Sequence, residues 1–116
     1  MESKWKRLVD FNGDEEMPRG TLFKFPAIYP FEDAVVMMLC MNPGNVDFPM
    51  SLVAITGYKA GINPYQNLPG VCITGSGDNR HFDIQWLIMN WSYWVYPDCD
   101  VGSVLVRNIP LNVDEI

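Results

Sequence analysis

The residues that could perform acid–base or metal chemistry centre on a single histidine. His81 is the only histidine of the chain, and Asp78 and Asp83 lie close to it in sequence. A metal site or a Cys-His dyad at this point would have to draw its other ligands from distant segments, because no ligand spacing accompanies the histidine. A surface or capping histidine is therefore favoured over a small hydrolase or metal enzyme that uses these three residues.

A glycine-containing segment, ITGSGD at Ile73–Asp78, precedes the predicted helix and can be compared with two catalytic loops. It lacks the Gly-Lys-Ser/Thr ending of a phosphate-binding P-loop, and its second residue is threonine where a nucleophile elbow requires glycine. A strand-to-helix turn is the simpler interpretation. The pairs Glu32 with Asp33 and Asp98 with Asp100 are interpreted as turn acids, because no cleft is defined around them. We predict no catalytic residue, no metal and no cofactor, and hence no enzyme.

Aromatic residues are concentrated in the segment from Asn79 to Tyr96, which holds more aromatic surface than one face of a small sheet requires. Most of these rings are predicted to lie in the core, since aromatic side chains at helical spacing are usually buried. Tryptophan and tyrosine also dominate binding hot spots in protein interfaces. The candidates for contact with a protein partner are Trp91, Trp94 and Tyr96.

Charged residues are almost absent between Phe48 and Gly77, where only Lys59 carries a charge. Lys59 and Tyr58 stand between two glycines, and Tyr65 follows shortly after. Two interpretations stay open for this segment: burial beneath neighbouring strands, or an interface with the mixture of aromatic and polar residues that protein partners contact. On the second interpretation, the binding residues are Tyr58, Lys59 and Tyr65.

The formal net charge of −6 makes nucleic acid an unfavourable partner, because phosphates carry the same sign. A basic protein would gain from this field through a faster and more selective encounter. The acids are grouped before the first predicted strand, around position 32 and around position 99. Those predicted to steer a basic partner are Asp10, Asp14, Glu15, Glu16, Glu32 and Asp33.

The elements that must position these side chains include one helix, predicted from Asn79 to Tyr96 with about four turns. Asp78 or Asn79 would cap its first amides, and Pro97 prevents its continuation. Apolar residues recur there at helical spacing in two stripes. One stripe comprises Phe82, Trp86, Met89 and Tyr93, and the other comprises Ile84, Leu87, Ile88, Trp91 and Val95.

Short apolar runs that end at turn residues predict the strands. They are Thr21–Phe25, Ala34–Met41, Ser51–Gly57, Val71–Thr74 and Val101–Arg107, and the acidic segment Asp10–Arg19 is predicted as a solvated loop. Ala34–Met41 is apolar on both faces, as a central strand would be. Successive strands with one long helix late in the chain indicate an α+β fold, an antiparallel or mixed sheet of about five or six strands packed on one main helix in the C-terminal half.

The length of 116 residues suits a single domain, predicted to span residues 1–116, that buries a core without disulfides. Its three cysteines are odd in number and widely spaced, which favours reduced thiols and a cytoplasmic protein. The N-terminus lacks a signal-peptide pattern, and the longest apolar run is too short to span a bilayer. We therefore expect a soluble protein without a membrane partner.

Three motifs occur together from Ser51 onward. They are GYKAG at Gly57–Gly61, the pattern WLxxNWxxWxYP from Trp86 to Pro97, and a final DVxxV strand from Asp100 to Val104. In this combination the chain resembles the family numbered forty-five among the immunity proteins of bacterial polymorphic-toxin systems, such as those of contact-dependent inhibition. The first half of the chain resembles the family only in general character.

The resemblance implies a small cytosolic immunity protein that is made alongside a toxin, which it binds and blocks, and that is not an enzyme. Toxins of this kind are often nucleases and hence basic, which suits an acidic inhibitor. The resemblance supplies no binding residues, so the candidates above rest on residue type and position. The alternative is a non-enzymatic structural or adaptor subunit that self-associates through the tryptophan-rich helix or an exposed strand edge, although a monomer is favoured.

Overall fold

Short strands alternate with 3-10 turns through most of the computed structural model, and a longer helical segment lies near the C-terminus. The structure describes residues 4–12, 15–28, 33–57, 59–62, 66–74, 81–109 and 111–115. Within these ranges the strands are β1 (Lys6–Arg7), β2 (Leu22–Pro26), β3 (Ala34–Met41), β4 (Met50–Ala54), β5 (Gln66–Leu68), β6 (Ile73–Thr74), β7 (His81–Phe82) and β8 (Leu105–Arg107). The helical segment consists of α1 (Ile84–Asn90) and a π-helical turn (Trp91–Val95), and the 3-10 turns are Leu8–Asp10, Gly70–Cys72, Val101–Ser103 and Val113–Glu115.

Six of the described strands form one antiparallel sheet with the order β1-β8-β2-β3-β4-β5. The strands β6 and β7 form a separate antiparallel hairpin. Because β8 lies between β1 and β2, the first and last strands of the chain are neighbours at one edge of the sheet. This arrangement confirms the predicted α+β class and shows that the main sheet is antiparallel.

β3 lies in the interior of the sheet between β2 and β4, as its apolar sequence predicts. The register pairs Phe23 with Met37 and Leu39 with Leu52. Directly opposed residues of neighbouring strands point to the same face of a sheet. All four side chains are at most 1% exposed. We call this side of the sheet the core face.

The helical segment packs on the core face through one of its two apolar stripes. The buried residues of this stripe are Ile84, Leu87, Trp91 and Val95. The ring of Trp91 lies 6.2 Å from the ring of Phe23 and 5.1 Å from that of Phe25, measured between centroids. Met89 and Tyr93, which belong to the other predicted stripe, are exposed.

The helix begins at Ile84 and not, as predicted, at Asn79. The carboxylate of Asp83 accepts a hydrogen bond from the Trp86 amide (3.1 Å), so Asp83 is the cap. Phe82 belongs to β7 instead. The prediction was wrong because Phe82 and Trp86 are four residues apart and pack together, with ring centroids 6.2 Å apart, without being in one helix. The predicted caps lie outside the described residues.

The last part of the helical segment widens into the π-helical turn Trp91–Val95. The side-chain amide of Asn90 donates to the Trp86 carbonyl (2.8 Å), and the backbone of Asn90 (φ −112°, ψ 6°) departs from α-helical values. The Tyr96 amide then donates to the Trp91 carbonyl, five residues earlier, at 3.0 Å. The wider turn rotates the side chains after Asn90 relative to an ideal α-helix.

Three predicted strands are shorter in the structure. Ser51–Gly57 ends as a strand at Ala54, and Gly57 adopts a left-handed φ of 74° in the turn that follows. The first part of Val71–Thr74 and of Val101–Arg107 forms 3-10 turns, which leaves the short strands β6 and β8. The strands β1 and β5 were not predicted, because two or three mostly polar residues show no alternation.

A buried arginine ties the two ends of the described chain together. Arg107 is 5% exposed, donates from Nε to the Ile109 carbonyl (2.8 Å) and forms an ion pair with the Glu115 carboxylate. The same carboxylate lies 3.3 Å from Lys4 Nζ and accepts from the Asn112 amide (3.2 Å). The Arg107 hydrogen bond is the largest of the effects that lower the pKa of Glu115 to about 2.

Replacing Glu115 with glutamine is expected to lower the melting temperature at neutral pH and to change its pH dependence. A carboxylate whose pKa is lower in the folded than in the unfolded chain stabilises the fold above its unfolded value, here 4.5, and loses this contribution as the pH falls to about 2. Circular dichroism melts should show a difference between wild type and Glu115→Gln that is full above pH 4.5 and disappears near pH 2.

The control for this prediction is Glu16→Gln, which removes an exposed carboxylate with no ion pair among the described residues. Its melting temperature should follow that of the wild type at every pH. A difference for Glu115→Gln that stayed constant down to pH 2 would show that the charge of Glu115 is not what stabilises the fold.

Candidate functional site

The acids predicted to steer a partner are divided by the structure into paired and unpaired groups. Asp10 forms an ion pair with Arg7, in which Oδ2 lies 2.9 Å from Nε. Glu15 forms one with Lys6, in which Oε2 lies 2.8 Å from Nζ. An acid neutralised by a neighbouring cation contributes little to the field at a distance. Asp10 and Glu15 are therefore placed to hold the N-terminal segment more than to attract a partner.

Glu16 and Asp33 are exposed and form no ion pair among the described residues. The carbonyl of Glu16 accepts from the Asn108 side chain (2.9 Å), and the neighbouring Met17 is fully buried. The predicted solvated loop is thus anchored on the core, while the two carboxylates stay in solvent. Two further predicted acids, Asp14 and Glu32, lie outside the described residues.

The glycine-flanked pentapeptide Gly57–Gly61 forms a turn after β4. Its two glycines have φ values of 74° and 87°, in the left-handed region that favours glycine. The Gly61 amide donates to the Ala54 carbonyl (2.9 Å), which closes the turn. Lys59 is half-buried in it. The glycines therefore have a backbone role that involves no ligand, and the predicted Tyr58 and Tyr65 lie outside the described residues.

The low charge between Phe48 and Gly77 has more than one cause. β4 lies between β3 and β5, and all its residues are buried, so burial accounts for its composition. Phe48 and Val71, in contrast, are 37% and 65% exposed. Val46, just before this segment, is 90% exposed. Burial therefore explains the strand and leaves the apolar loops beside it unexplained.

Trp91 and Tyr96 lie in the core, with 0% and 4% of their surface exposed. The Tyr96 ring lies 5.2 Å from the ring of Phe25, and the Ile28 amide donates to the Tyr96 hydroxyl (3.0 Å). Of the two roles considered for these rings, the structure gives both the core role. Trp91 and Tyr96 therefore present almost no surface to a partner. Because Trp94 lies between them in the chain, their burial fixes the position of Trp94.

Four large side chains form a surface on the solvent side of the helical segment, which we call the aromatic surface. They are Trp86, Met89, Tyr93 and Trp94. Tyr93 and Met89 are 85% and 83% exposed, and the two tryptophans are half-buried. The Trp94 ring lies 6.1 Å from that of Trp86 and 5.7 Å from that of Tyr93, the latter edge-on at 76°. The tryptophans thus support an exposed tyrosine.

Only Trp94 of the aromatic surface is among the binding residues predicted from sequence. The helical spacing places Tyr93 and Met89 in an apolar stripe, but in the structure both side chains are exposed. The sequence does contain a sign that Met89 is exposed. Gln85, four residues before it, and Ser92, three residues after it, are both polar. Residues at this spacing share one side of a helix, so they mark it as the solvent side.

Two exposed acids follow the aromatic surface in the chain. Asp98 and Asp100 lie three and five residues after the end of the helical segment, and neither forms an ion pair among the described residues. The Ser103 amide donates to the Asp100 carbonyl (2.9 Å) and fixes this turn. The C-terminal end of a helical segment also carries partial negative charge. The chain that follows Trp94 therefore carries negative potential, which attracts cations.

A groove of about 1140 Å³ lies at the opposite end of β2 and β3 from Tyr96. Five of its lining side chains contain sulfur, and we call it the methionine groove. They are Met17, Met38, Cys40, Met41 and Met50. Arg19 is the only charged residue of the described lining, and its Nη1 lies 3.7 Å from the sulfur of Met41.

The asparagines beside the methionine groove are hydrogen-bonded within the protein. The Asn42 side chain donates to the Phe48 carbonyl (2.9 Å) and accepts from the buried Ser51 hydroxyl (3.2 Å). The Asn45 side-chain oxygen accepts from the Phe48 amide (2.9 Å). These bonds fix the β3–β4 connection, from which Val46 extends into solvent at the groove. The groove thus offers mainly apolar surface.

The three cysteines are poorly suited to nucleophilic chemistry. Burial raises the pKa of Cys72 to about 12 and also raises the pKa of Cys40 and of Cys99. A raised pKa keeps a thiol protonated near neutral pH, whereas the thiolate is the nucleophile. The main chain of His81 pairs with Thr74, and the His81 side chain lies outside the described structure.

Two structural features are absent among the described residues. No group of three His, Cys, Asp or Glu side chains there is placed to hold a metal ion. In the same ranges, no helix has the length and apolar character needed to cross a membrane.

A family model of an immunity protein matches residues 8–106 of this chain. Because the match covers most of the chain, the protein belongs to the family Immunity protein 45 (Imm45). This confirms the resemblance seen in the motifs from Ser51 onward and extends it to the first half of the chain. Proteins of such families are generally not enzymes, and their partner is in general a toxin. No curated protein and no solved structure matches the chain.

Proposed function

We propose that this protein binds a cognate toxin domain in the cytoplasm and neutralises it by occlusion, with the aromatic surface as the main contact. Membership of the Imm45 family supports the toxin as partner. The observation that carries the choice of surface is the 85% exposure of Tyr93 on a support of two tryptophans. A ring held by its neighbours loses little conformational entropy on binding, and tyrosine and tryptophan dominate hot spots.

The charges beside this surface favour a basic partner. Asp98, Asp100 and the end of the helical segment place negative charge next to exposed aromatic rings. An arginine or lysine of the toxin would gain from both, because a cation over an aromatic face is stabilised by about 0.5 to 2 kcal/mol. A basic toxin domain, such as a nuclease, has such side chains on its surface. We therefore propose that cations of the toxin contact Tyr93 and Trp94.

Two other exposed acids, Glu16 and Asp33, would act at longer range. Exposed charges mainly change the rate of association, whereas desolvated contacts determine how slowly a complex dissociates. Glu16 and Asp33 would thus speed the approach of a basic toxin, and Tyr93 with Trp94 would hold it. Asp10 and Glu15, which are paired with Arg7 and Lys6, would contribute less to this approach.

The test is complex formation with the toxin domain encoded by the neighbouring gene. A catalytically inactivated form of that domain should bind the purified protein with one-to-one stoichiometry in light scattering. Expression of this protein should also restore growth to cells that express the active toxin. If neither binding nor protection occurs with the neighbouring toxin, the proposal fails.

The double variant Asp98→Asn with Asp100→Asn is expected to associate with the toxin more slowly, by roughly 10-fold at low ionic strength, with little change in the dissociation rate. The physical reason is the loss of attraction near the aromatic surface. Surface plasmon resonance at two salt concentrations measures it, and the difference should shrink in high salt. The double variant Arg7→Gln with Asp10→Asn removes both members of an exposed ion pair and leaves the net charge unchanged. It is the control and should associate nearly as fast as wild type.

The alternative, self-association through the helical segment, meets an electrostatic objection. In a two-fold pair, the aromatic surfaces of two copies would face each other, and each would bring its own Asp98 and Asp100. Like charges in close approach are unfavourable. Light scattering of the protein without toxin decides between toxin binding and self-association. A stable dimer that is lost in Tyr93→Ala would favour self-association.

A further inference from the structure

The methionine groove is a second surface that the fold does not require to be open. Val46 is 90% exposed and Val71 is 65% exposed beside it, and Met41 is 39% exposed in its lining. Gly70, next to Val71, lies close to the Val46 carbonyl, which brings the two loops together. Exposed apolar side chains grouped around a groove are a feature of contact sites on small proteins. Methionine side chains adapt their shape to different apolar partners.

Arg19 is the charged side chain of the described groove lining and is opposite in sign to the protein as a whole, while the exposed acid Asp47 follows Val46 just outside that lining. Among the described residues, its side chain contacts the sulfur of Met41 and forms no ion pair with a carboxylate. Most other described cations are occupied: Lys4, Lys6, Arg7 and Arg107 are paired with acids, and Lys24 lies over the ring of Trp5. A cation at an apolar groove is complementary to an apolar group that has a carboxylate beside it.

We propose that the methionine groove is a second toxin-binding site, which accepts an apolar side chain of the toxin that lies next to an acidic residue. This inference rests on the proposed function. The groove of about 1140 Å³ is large enough for several side chains, which suits an extended segment of the toxin. The apolar side chain packs against Met38 and Met41, the two lining methionines that are not buried, and the carboxylate pairs with Arg19.

The two binding sites differ in sign, and this fixes the orientation of the partner. The aromatic surface carries Asp98 and Asp100 and takes cations, whereas the methionine groove carries Arg19 and takes an anion. Tyr96, which lies between Trp94 and Asp98 in the chain, contacts Ile28 beyond one end of β2, whereas the groove contains Met41 at the other end of the paired strands β2 and β3. A toxin with the two charges exchanged would meet repulsion at both ends, so the pair of sites provides specificity as well as affinity.

The first experiment tests the groove without a toxin. The probe is 8-anilinonaphthalene-1-sulfonate, whose apolar rings carry one negative group. It is expected to bind with enhanced fluorescence, and both Arg19→Glu and Val46→Asp should weaken that binding roughly 10-fold. Both positions are exposed, so folding should be retained. Lys59→Glu is the control, because it changes the net charge by as much as Arg19→Glu does, at a position that follows the end of β4 away from Met50. It should bind the probe like wild type. No fluorescence enhancement, or an equal loss in Lys59→Glu, overturns the groove as such a site.

The second experiment measures the inactivated toxin against a charge series at Arg19. Affinity should decrease from wild type to Arg19→Gln and again to Arg19→Glu, by roughly 10-fold or more in total. Equal affinity across the series, or tighter binding by Arg19→Glu, overturns the inference while leaving the proposed function intact, since wild type still binds. Failure of wild type to bind is instead the failure of the proposed function.

Discussion

Replacement of Tyr93 by alanine is expected to weaken the complex with the cognate toxin by about 2 kcal/mol or more, roughly 30-fold in Kd. The ring is 85% exposed and rests edge-on against Trp94, so it can be buried by a partner without rearrangement. For the same reason its removal should change the free energy of unfolding by no more than about 0.5 kcal/mol. Isothermal titration calorimetry and urea unfolding measure the two effects separately.

Two control variants make the result for Tyr93 specific. Tyr93→Phe keeps the ring and should retain most of the affinity, because the ring and not the hydroxyl provides the contact area. Val113→Ala shortens a side chain that is 82% exposed in the C-terminal 3-10 turn and should bind like wild type. Wild-type affinity in Tyr93→Ala would remove the aromatic surface from the proposed interface.

The fold class could be predicted because its main elements have long, regular patterns. β3 has eight apolar residues in sequence, and β2 alternates Phe23 and Phe25 with Lys24 between them. The helical segment has apolar residues at three- and four-residue intervals. In each case local spacing and burial agree, so the sequence alone indicates the element. The antiparallel order then follows from short connections between most neighbouring strands.

Other parts of the fold depend on contacts between distant residues and left no local pattern. β1 and β5 contain two and three residues, and they are strands only because β8 and β4 pair with them. The start of the helix depends on the Asp83 cap, whereas Asp78 and Asn79 are equally plausible caps by residue type. Residue types therefore predicted that a cap exists but not which residue provides it.

Only part of the candidate site could be predicted, because its other residues are also placed by contacts that leave no local sequence pattern. Residue type and position predict Trp94 as a binding residue, whereas the helical spacing places Tyr93 in an apolar stripe. The π-helical turn that follows Asn90 rotates later side chains, and it depends on a side-chain hydrogen bond to Trp86 that periodicity does not reveal. The methionine groove combines segments around positions 17–20, 38–50 and 70–73, so only the three-dimensional structure brings its sulfur atoms and Arg19 together.

Trp91 is the residue whose loss should damage the fold most. Its indole is fully buried between the helical segment and the core face, 5.1 Å from the ring of Phe25 and 6.2 Å from that of Phe23. Phe25 in turn contacts Tyr96, whose hydroxyl accepts from the Ile28 amide. Trp91 therefore connects the π-helical turn to the centre of the sheet, and a cavity in its place would loosen the support of the aromatic surface.

Trp91→Ala is expected to lower the free energy of unfolding by about 3 to 5 kcal/mol, measured by urea denaturation. Domains of this size are typically stable by only about 5 to 15 kcal/mol, so the variant should retain a small part of its stability. Trp91→Phe should cost about half as much or less. It keeps a ring against Phe25, and it removes the Trp91 Nε1–H group, which is buried and has no hydrogen-bond partner among the described residues. A loss below about 1 kcal/mol in Trp91→Ala would contradict the packing of the helical segment on the core face.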